Sequence, residues 1–360
     1  MNNKWAVSIL VLVIILGGYV VLQKQHVSRV SRQIKIGIVS PLSGDFAFYG
    51  ESTRAGALLA QRDLGAQGME VQLFIEDGET SPAKSLSAAQ KLVEVNDVRA
   101  IYSDLNPEAV AISSYLKGKN ILHVYDAASV SPLRDNPLTY KSYLDFVTGC
   151  RQAAQYLKDT GTTSVGVLQA NVEFAQLCTQ GIREVFDDNT FVETYDLGTT
   201  DFKTPLLKLR RHRIASIFNV SFPAETFASL KDVRAAGMRE PFVATYDSIS
   251  PDMIAQQPAL LEGVVAFGLP PVSQDFMTKM QTELPQQKVS AYSVAALSYI
   301  HIKHMAAAIA TCNGNAACMQ QSMDNAKPEA LIGFGGFDNH VARFSMPLRV
   351  FHDGAFVDIQ

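Results

Sequence analysis

The stretch IKIGIVSPLSGDFAFYG, residues 34–50, decides how this chain is read. A buried strand runs into a small-residue loop, Pro41, Leu42, Ser43 and Gly44, and then into an amphipathic segment at residues 51–64. A strand that feeds a loop and a helix leaves its carboxyl end open, and in open α/β sheets small ligands bind in the crevice outside those ends.

Working outward, strand-like runs at residues 34–40, 71–76, 98–102 and 121–125 alternate with helical stretches near 51–64, 82–95 and 107–117. The runs are apolar on both faces, as buried parallel strands are. The pattern then restarts, with strands at 165–170, 191–197, 214–220 and 241–246 and helices near 151–158, 173–186, 202–210 and 224–236. Two doubly wound lobes joined by more than one crossing fit this better than one long sheet. The first crossing is expected near 141–148 and the return near 264–270. Residues 291–310 then form a long helix, with Val294, Ala295, Leu297, Ile302 and Met305 at helical spacing, expected to pack back on the first lobe. The tail, GFGGFD at 333–338 followed by 343–351 and 355–359, reads as a hairpin-like ending. The expected fold is α/β, two Rossmann-like lobes with a multi-strand hinge: residues 34–145 and 269–345 form lobe 1, and 146–268 and 346–360 form lobe 2. Neither a short repeat nor a low-complexity segment interrupts it.

A chain of 360 residues exceeds what one core usually supports, which agrees with two lobes. Hydrophobic residues at 47% and charged residues at 18% describe an ordinary globular protein with one extra apolar segment. A formal net charge of -4 offers no basic surface of the kind nucleic acid needs, so no nucleic-acid partner is expected. The extra segment is WAVSILVLVIILGGYVVL, residues 5–22. It carries no charge and is about as long as the ~20 residues a membrane-spanning helix requires. A cleaved secretory signal calls for a shorter apolar core and a small-residue site, whereas Gly17 and Gly18 are followed by Tyr19, Val20, Val21 and Leu22. An uncleaved single-pass signal anchor is expected, with residues 23–33 as a polar spacer and a cleaved soluble form as the alternative. Lys4 before the segment and Lys24, Arg29 and Arg32 after it leave its orientation unfixed by charge. The first hundred residues contain no cysteine, which excludes lipid attachment at an N-terminal cysteine.

The four cysteines are Cys150, Cys178, Cys312 and Cys318. Cys312 and Cys318 enclose the turn-forming loop NGNAA, and Cys150 and Cys178 sit near the starts of two expected helices. Both pairs are read as disulfide candidates, against the alternative of small buried thiols. Their spacing matches no zinc motif, and neither metal nor cofactor is expected.

The sequence resembles the branched-chain amino-acid-binding proteins of the periplasmic type I binding-protein family. The likeness is carried by Pro41, Leu42, Ser43, Gly44, Tyr49 and Gly50, a loop the family uses as one lip of its ligand cleft. It extends to the 333–338 loop, similar to the family's G-x-x-x-FD ending, and so spans residues 34–360. The resemblance implies a type I periplasmic binding-protein fold on the outer face of the cytoplasmic membrane. Its partner would be an ABC permease or a membrane sensor. Better-known members carry a disulfide in the first part of the first lobe, and this chain has no cysteine within residues 34–145.

A free α-amino acid presents a carboxylate and an ammonium, so its receptor needs donors on one side and a carboxylate on the other. The segment YDAASVSP, residues 125–132, resembles the family's Ala-Ala-Thr loop, with Ala127, Ala128 and Ser129 in those places. The resemblance implies that Ser129 binds the ligand carboxylate and the Ala127 carbonyl binds the ammonium. A serine-rich turn capping the next element is the competing explanation. Asn106 falls where relatives place a carboxylate-binding serine, with Ser103 as second candidate; Asn106 before Pro107 is equally a helix cap. Phe174 and Phe222 match family aromatics lining the cleft, and Asp247 stands where relatives have a glutamate for the ammonium. Aromatic residues at single strand ends more often belong to a core; their placement on successive strand ends favours a cleft.

Enzymatic motifs are missing: the chain has no G-x-S-x-G elbow, P-loop or G-x-G-x-x-G, so no catalytic residues are expected. His301 and His304 are read as solvent-facing, and residues 76–79 as a solvated acidic loop. The sequence thus points to a membrane-tethered binding protein closing around a small amino-acid-like ligand, an amino acid or a related amide, for an ABC permease. A sensor module with a membrane partner is the first alternative and a cleft hydrolase the second.

Overall fold

The computed structural model describes residues 33–134 and 136–359. The apolar segment 5–22 and residues 23–32 of the spacer lie outside the described residues. Among the described residues no helix is long and apolar enough to cross a membrane.

The β-branched runs form strands β1 (Ile34–Ser40), β2 (Val71–Asp77), β3 (Ala100–Asp104), β4 (Leu122–Asp126) and β5 (Thr139–Lys141). A second set follows: β6 (Val165–Ala170), β7 (Thr190–Tyr195), β8 (Ser216–Val220), β9 (Phe242–Thr245) and β10 (Val264–Phe267). Four further strands, β11 (Phe334–Asp338), β12 (Val341–Phe344), β13 (Leu348–His352) and β14 (Ala355–Asp358), end the chain. They assemble into two seven-stranded sheets, ordered β11-β12-β5-β4-β3-β1-β2 and β14-β13-β10-β9-β8-β6-β7. Each has a doubly wound parallel part with the first strand inside the second, the arrangement that opens a ligand crevice at strand carboxyl ends. Strands β3, β4, β8, β9 and β10 are buried at every position, as helices on both faces of a sheet require.

The sequence reading is corrected at two joints. Residues 264–267 are not the return crossing but strand β10, paired parallel to β9 from Val264↔Phe242 to Phe267↔Thr245, and the chain crosses back after it. The tail is not one hairpin but two, β11–β12 on the first sheet and β13–β14 on the second, with a third crossing between them.

Six helices frame the cleft and the hinge: α1 (Ala47–Ala66), α2 (Asn106–Leu116), α3 (Phe146–Asp159), α4 (Glu173–Phe186), α5 (Pro223–Ala235) and α6 (Tyr292–Cys312). Asp145 starts α3 by accepting the N–H groups of Val147 and Thr148, which fixes where the chain enters the second lobe. Disulfides join Cys150 to Cys178, tying α3 to α4, and Cys312 to Cys318, fastening the end of α6 to the next helix. The histidines of α6 are not solvent-facing. His301 is fully buried, edge-on to Phe334 at 5.3 Å, and burial holds its ring well below the usual histidine range. The apolar face of α6 covers the first sheet, and any histidine on that face is drawn in with it.

Helix α6 packs on α1, as the sequence suggested, through an unusually close approach. A methyl group added at Gly56 would stand 2.0 Å from the Ala295 carbonyl oxygen. Beside it the Ser298 hydroxyl donates to the Thr53 carbonyl at 2.7 Å. Gly→Ala inside a helix ordinarily stabilises by up to about 1 kcal/mol. At Gly56 the sign should reverse, with a loss of about 2–3 kcal/mol from overpacking. Gly65 in the same helix has nothing within 4 Å of an added Cβ and provides the control. Urea unfolding of both variants is the measurement; equal stability of Gly56→Ala and Gly65→Ala would show that the two helices are not held this closely.

Candidate functional site

A cavity of about 420 Å³ lies between the lobes, within the size range of small-molecule sites. Every parallel strand that reaches it does so by its carboxyl end. From the first lobe come Phe46 and Tyr49 after β1, Thr80 after β2, Asn106 after β3, Asp126 to Ala128 at the end of β4, and Tyr143 after β5. From the second come Glu173 and Phe174 after β6, Leu197 after β7, Ser221 and Phe222 after β8, and Asp247 after β9.

The β1 loop is held from below. Asp77, at the end of β2, accepts the N–H groups of Leu42 and Glu79, both at 2.9 Å. Burial raises its carboxyl, but these bonds and one from Ser43 outweigh it and hold the group below the usual carboxylate range. The acidic stretch at 76–79 is therefore not merely a solvated loop, since Asp77 organises one lip of the cleft. A carboxylate with two main-chain N–H groups in reach satisfies them as a turn would.

Between β3 and α2, Leu105 adopts φ +62°, a conformation costly for a residue with a Cβ. Its N–H donates to the Asp126 carbonyl at 3.0 Å, and the bend brings Asn106 to the cavity wall. The Asn106 side chain accepts the Ser129 N–H at 2.9 Å and donates to Glu173 at 3.2 Å, which links the two lobes. Ser129 is fully buried, its hydroxyl paired with Ser131 at 2.9 Å. Ser103 is likewise buried and bonded to His123 at 2.8 Å. Neither serine lines the cavity, whereas Tyr49, Asn106, Ala127, Ala128, Phe174, Phe222 and Asp247 do.

Sequence reasoning missed the carboxylates under this wall. Strand β4 runs one residue further than expected, so Asp126 belongs to it and stands in register with Asp104 of β3. Both side chains are buried, and like charges on adjacent strands repel. Burial, with the neighbouring Asp104, pushes Asp126 well above the usual carboxylate range, against a 3.0 Å hydrogen bond from the Tyr49 hydroxyl. Burial pushes Asp104 up to about 7 against a hydrogen bond from Ser40, and Glu108 at the start of α2 also to about 7. The Lys141 ammonium is spent on the carbonyls of Tyr143 and Leu144, at 2.8 and 2.7 Å. Asp247 opens onto the cleft and accepts the Tyr143 hydroxyl at 3.0 Å; enclosure by the surrounding walls raises its carboxyl. The available signal for Asp126 was a carboxylate at the carboxyl end of an otherwise apolar run.

Aromatic rings make up much of the remaining wall. Phe46 of the first lobe meets Phe222 of the second edge-on at 5.5 Å. Phe222 meets Phe174 at 5.4 Å, Phe174 meets Phe146 at 5.4 Å, and Phe146 meets Tyr143 at 5.9 Å. Such contacts stabilise by about 0.5–1.5 kcal/mol each beyond their area. The arrangement suits a small molecule with an apolar body and one polar end.

The buried acids carry a consequence for stability. A carboxyl whose folded pKa exceeds its unfolded one stabilises the fold below the unfolded value, and that contribution is lost as pH rises through the folded value. With Asp104 and Glu108 at about 7, each should cost the fold on the order of 2 kcal/mol between about pH 5 and pH 8. Asp104→Asn should weaken this slope and be more stable than the parent above about pH 7. Denaturant titrations across that range test it, and an unchanged slope in the variant would mean that Asp104 is ionised in the fold.

Comparison with known proteins gives the same architecture. The family model described as "Periplasmic binding protein" matches residues 33–352. A Leu/Ile/Val-binding protein of Escherichia coli (strain K12) is 22% identical over 224 residues, 59% of this chain and 61% of that protein. The chain is thus matched over about three fifths of that relative's length. The solved structure of a leucine binding protein from Thermotoga maritima superposes with a TM-score of 0.75 at 16% identity, covering 91% of this chain and 98% of that one. A branched-chain amino acid transporter substrate binding protein from Streptococcus pneumoniae, in complex with isoleucine, gives a TM-score of 0.75 at 17% identity, covering 91% and 100%. Two α/β lobes of type I architecture, a cleft at their strand ends and a family match over nearly the whole described chain agree: the chain belongs to the periplasmic binding protein family.

Proposed function

We propose that this chain is an extracytoplasmic solute-binding protein that closes around a small amine-bearing solute of amino-acid size and delivers it to an ABC permease. One observation carries the reading: the cavity is walled by aromatic and acidic side chains from the strand ends of both lobes. A solute bound there touches both lobes at once and favours their closed arrangement over an open one. The relatives named for leucine, isoleucine and valine support the class of solute. In this reading Asp247 and the Ala127 carbonyl receive the ammonium, and Tyr49, Phe174 and Phe222 enclose the apolar body. Asn106, Ala128, Ser129 and Ser103 shape the wall of the first lobe. Residues 34–145 with 269–345 and residues 146–268 with 346–360 are the two moving units. Residues 1–33 hold them at the outer face of the cytoplasmic membrane, where disulfides persist. The protein binds and releases its solute without turning it over.

Mass spectrometry of the full chain, purified without harsh washing, should find a small amine retained. With that solute, Phe222→Ala should weaken binding by about tenfold or more in calorimetry, as loss of a central aromatic anchor does. Retention of a chemically altered product, or undiminished affinity in the variant, would count against this reading. N-terminal sequencing tests the anchor separately: a mature start between residues 23 and 33 would show that it is removed.

A further inference from the structure

The cleft is poorly made for a carboxylate. Among the described residues its wall carries no lysine, arginine or histidine, and its ionisable acids are Asp126, Glu173 and Asp247. One main-chain donor beside the Ala127 and Ala128 turn, the Ser129 N–H, is already given to the Asn106 side chain, whose own N–H is given to Glu173. The N-termini of α2, α4 and α5 are among those that face the cleft and would ordinarily attract an anion. Each of these three already holds a carboxylate in its first turn, Glu108 in α2, Glu173 in α4 and Glu225 in α5, and Pro107 of α2 and Pro223 of α5 have no N–H, whereas the first turn of α1 holds no acid.

The same cleft is well made for a cation. Asp126 is 1% exposed, and its Oδ1 oxygen has no hydrogen-bond partner although the residue lines the cavity. Asp247 lines the same cavity from the other lobe. The Lys141 ammonium favours the ionised form of Asp126 from behind the wall, but its hydrogen bonds go to carbonyls and it does not line the cavity. Rings of Phe46, Tyr49, Tyr143, Phe174 and Phe222 complete the wall and offer their faces to an ammonium or their bulk to an apolar chain.

Resting on the solute-binding reading of this cleft, we infer that its solute is a monocationic amine with an apolar body and no free carboxylate, its ammonium held by Asp126 and Asp247 and its carboxylate subsite closed by Asn106. Amino-acid amides and aryl- or alkylamines have this chemistry. A bound ammonium would give the Asp126 and Asp247 carboxyls a cationic partner, whereas a zwitterion would bring a carboxylate that no cationic side chain among the described wall residues receives.

Calorimetry of the full chain with two matched series decides the matter: leucine, leucinamide and 3-methylbutylamine, and phenylalanine, phenylalaninamide and 2-phenylethylamine. In at least one series the amide or the amine should bind about tenfold or more tightly than the parent amino acid. Asp247→Asn should erase most of that affinity, and Asn106→Ser, which releases the Ser129 N–H, should recover binding of the parent amino acid by about tenfold. A parent amino acid bound as tightly as its amide overturns the inference and leaves the solute-binding reading intact. Failure of every amine in a folded chain that retains some carboxylate-bearing solute does the same. A folded chain that binds no member of either series and retains no solute would overturn both.

Discussion

The winding of the strands is the constraint on which the rest depends. In each lobe the first parallel strand lies inside the second, so successive connections run to opposite sides and leave a crevice at the carboxyl edge. Because both sheets present that edge to the same space, loops far apart in sequence converge there, from the turn after β1 to the one after β9. Chemistry can then vary in the loops while the buried strands continue to carry the fold. The three crossings between the sheets hold those edges opposite each other.

The carboxyl edge is also where the fold tolerates its least favourable groups. Asp104 and Asp126 stand side by side on adjacent buried strands, and Glu108 is buried one helical turn beyond. Leu105 is bent into a left-handed conformation between them. Each feature costs free energy that an apolar residue or a glycine would not, and all of them lie in the wall or floor of one cavity. Such concentration is typical of binding sites, where local rules are broken for a ligand's sake. Tyr49 and Tyr143 temper the arrangement by donating hydroxyl hydrogen bonds to Asp126 and Asp247 at 3.0 Å each.

Contact between the lobes at this edge is light. Among the described residues, Asn106 to Glu173, Tyr143 to Asp247, Phe46 to Phe222 and Tyr143 to Phe146 bridge the lobes, two hydrogen bonds and two ring pairs. Bridges of this size contribute about 1 kcal/mol apiece, so a solute that touches both walls adds a comparable or larger bias toward closure. Packing within each lobe is firmer: Gly56 lets α1 press on α6, and the Cys150–Cys178 disulfide ties α3 to α4.

The fold was largely legible in the sequence because buried parallel strands are short apolar runs and the helices between them are amphipathic, both local patterns. The aromatic and polar lining at Asn106, Phe174, Phe222 and Asp247 was legible for a related reason, since each stands just after a strand and strand ends face the cleft, while Tyr49 was legible from the loop that follows the first strand. Local pattern could not reveal pairing. That Val264 to Phe267 completes the second sheet, and that the last four strands divide between two sheets, depends on partners up to hundreds of residues away. Nor could it say which way a polar side chain turns. His301 is buried because the whole apolar face of α6 is drawn onto the sheet. Ser129 is lost to the ligand because a bend at Leu105 delivers Asn106 to its N–H, and Asp126 becomes a wall residue only through its register with Asp104. The sequence by itself determined the alternation of strands and helices and therefore the crevice. Which hydrogen bonds are already spent there, and which charges are left facing the cavity, only the tertiary structure decided, because those depend on distances between atoms that the chain order does not contain.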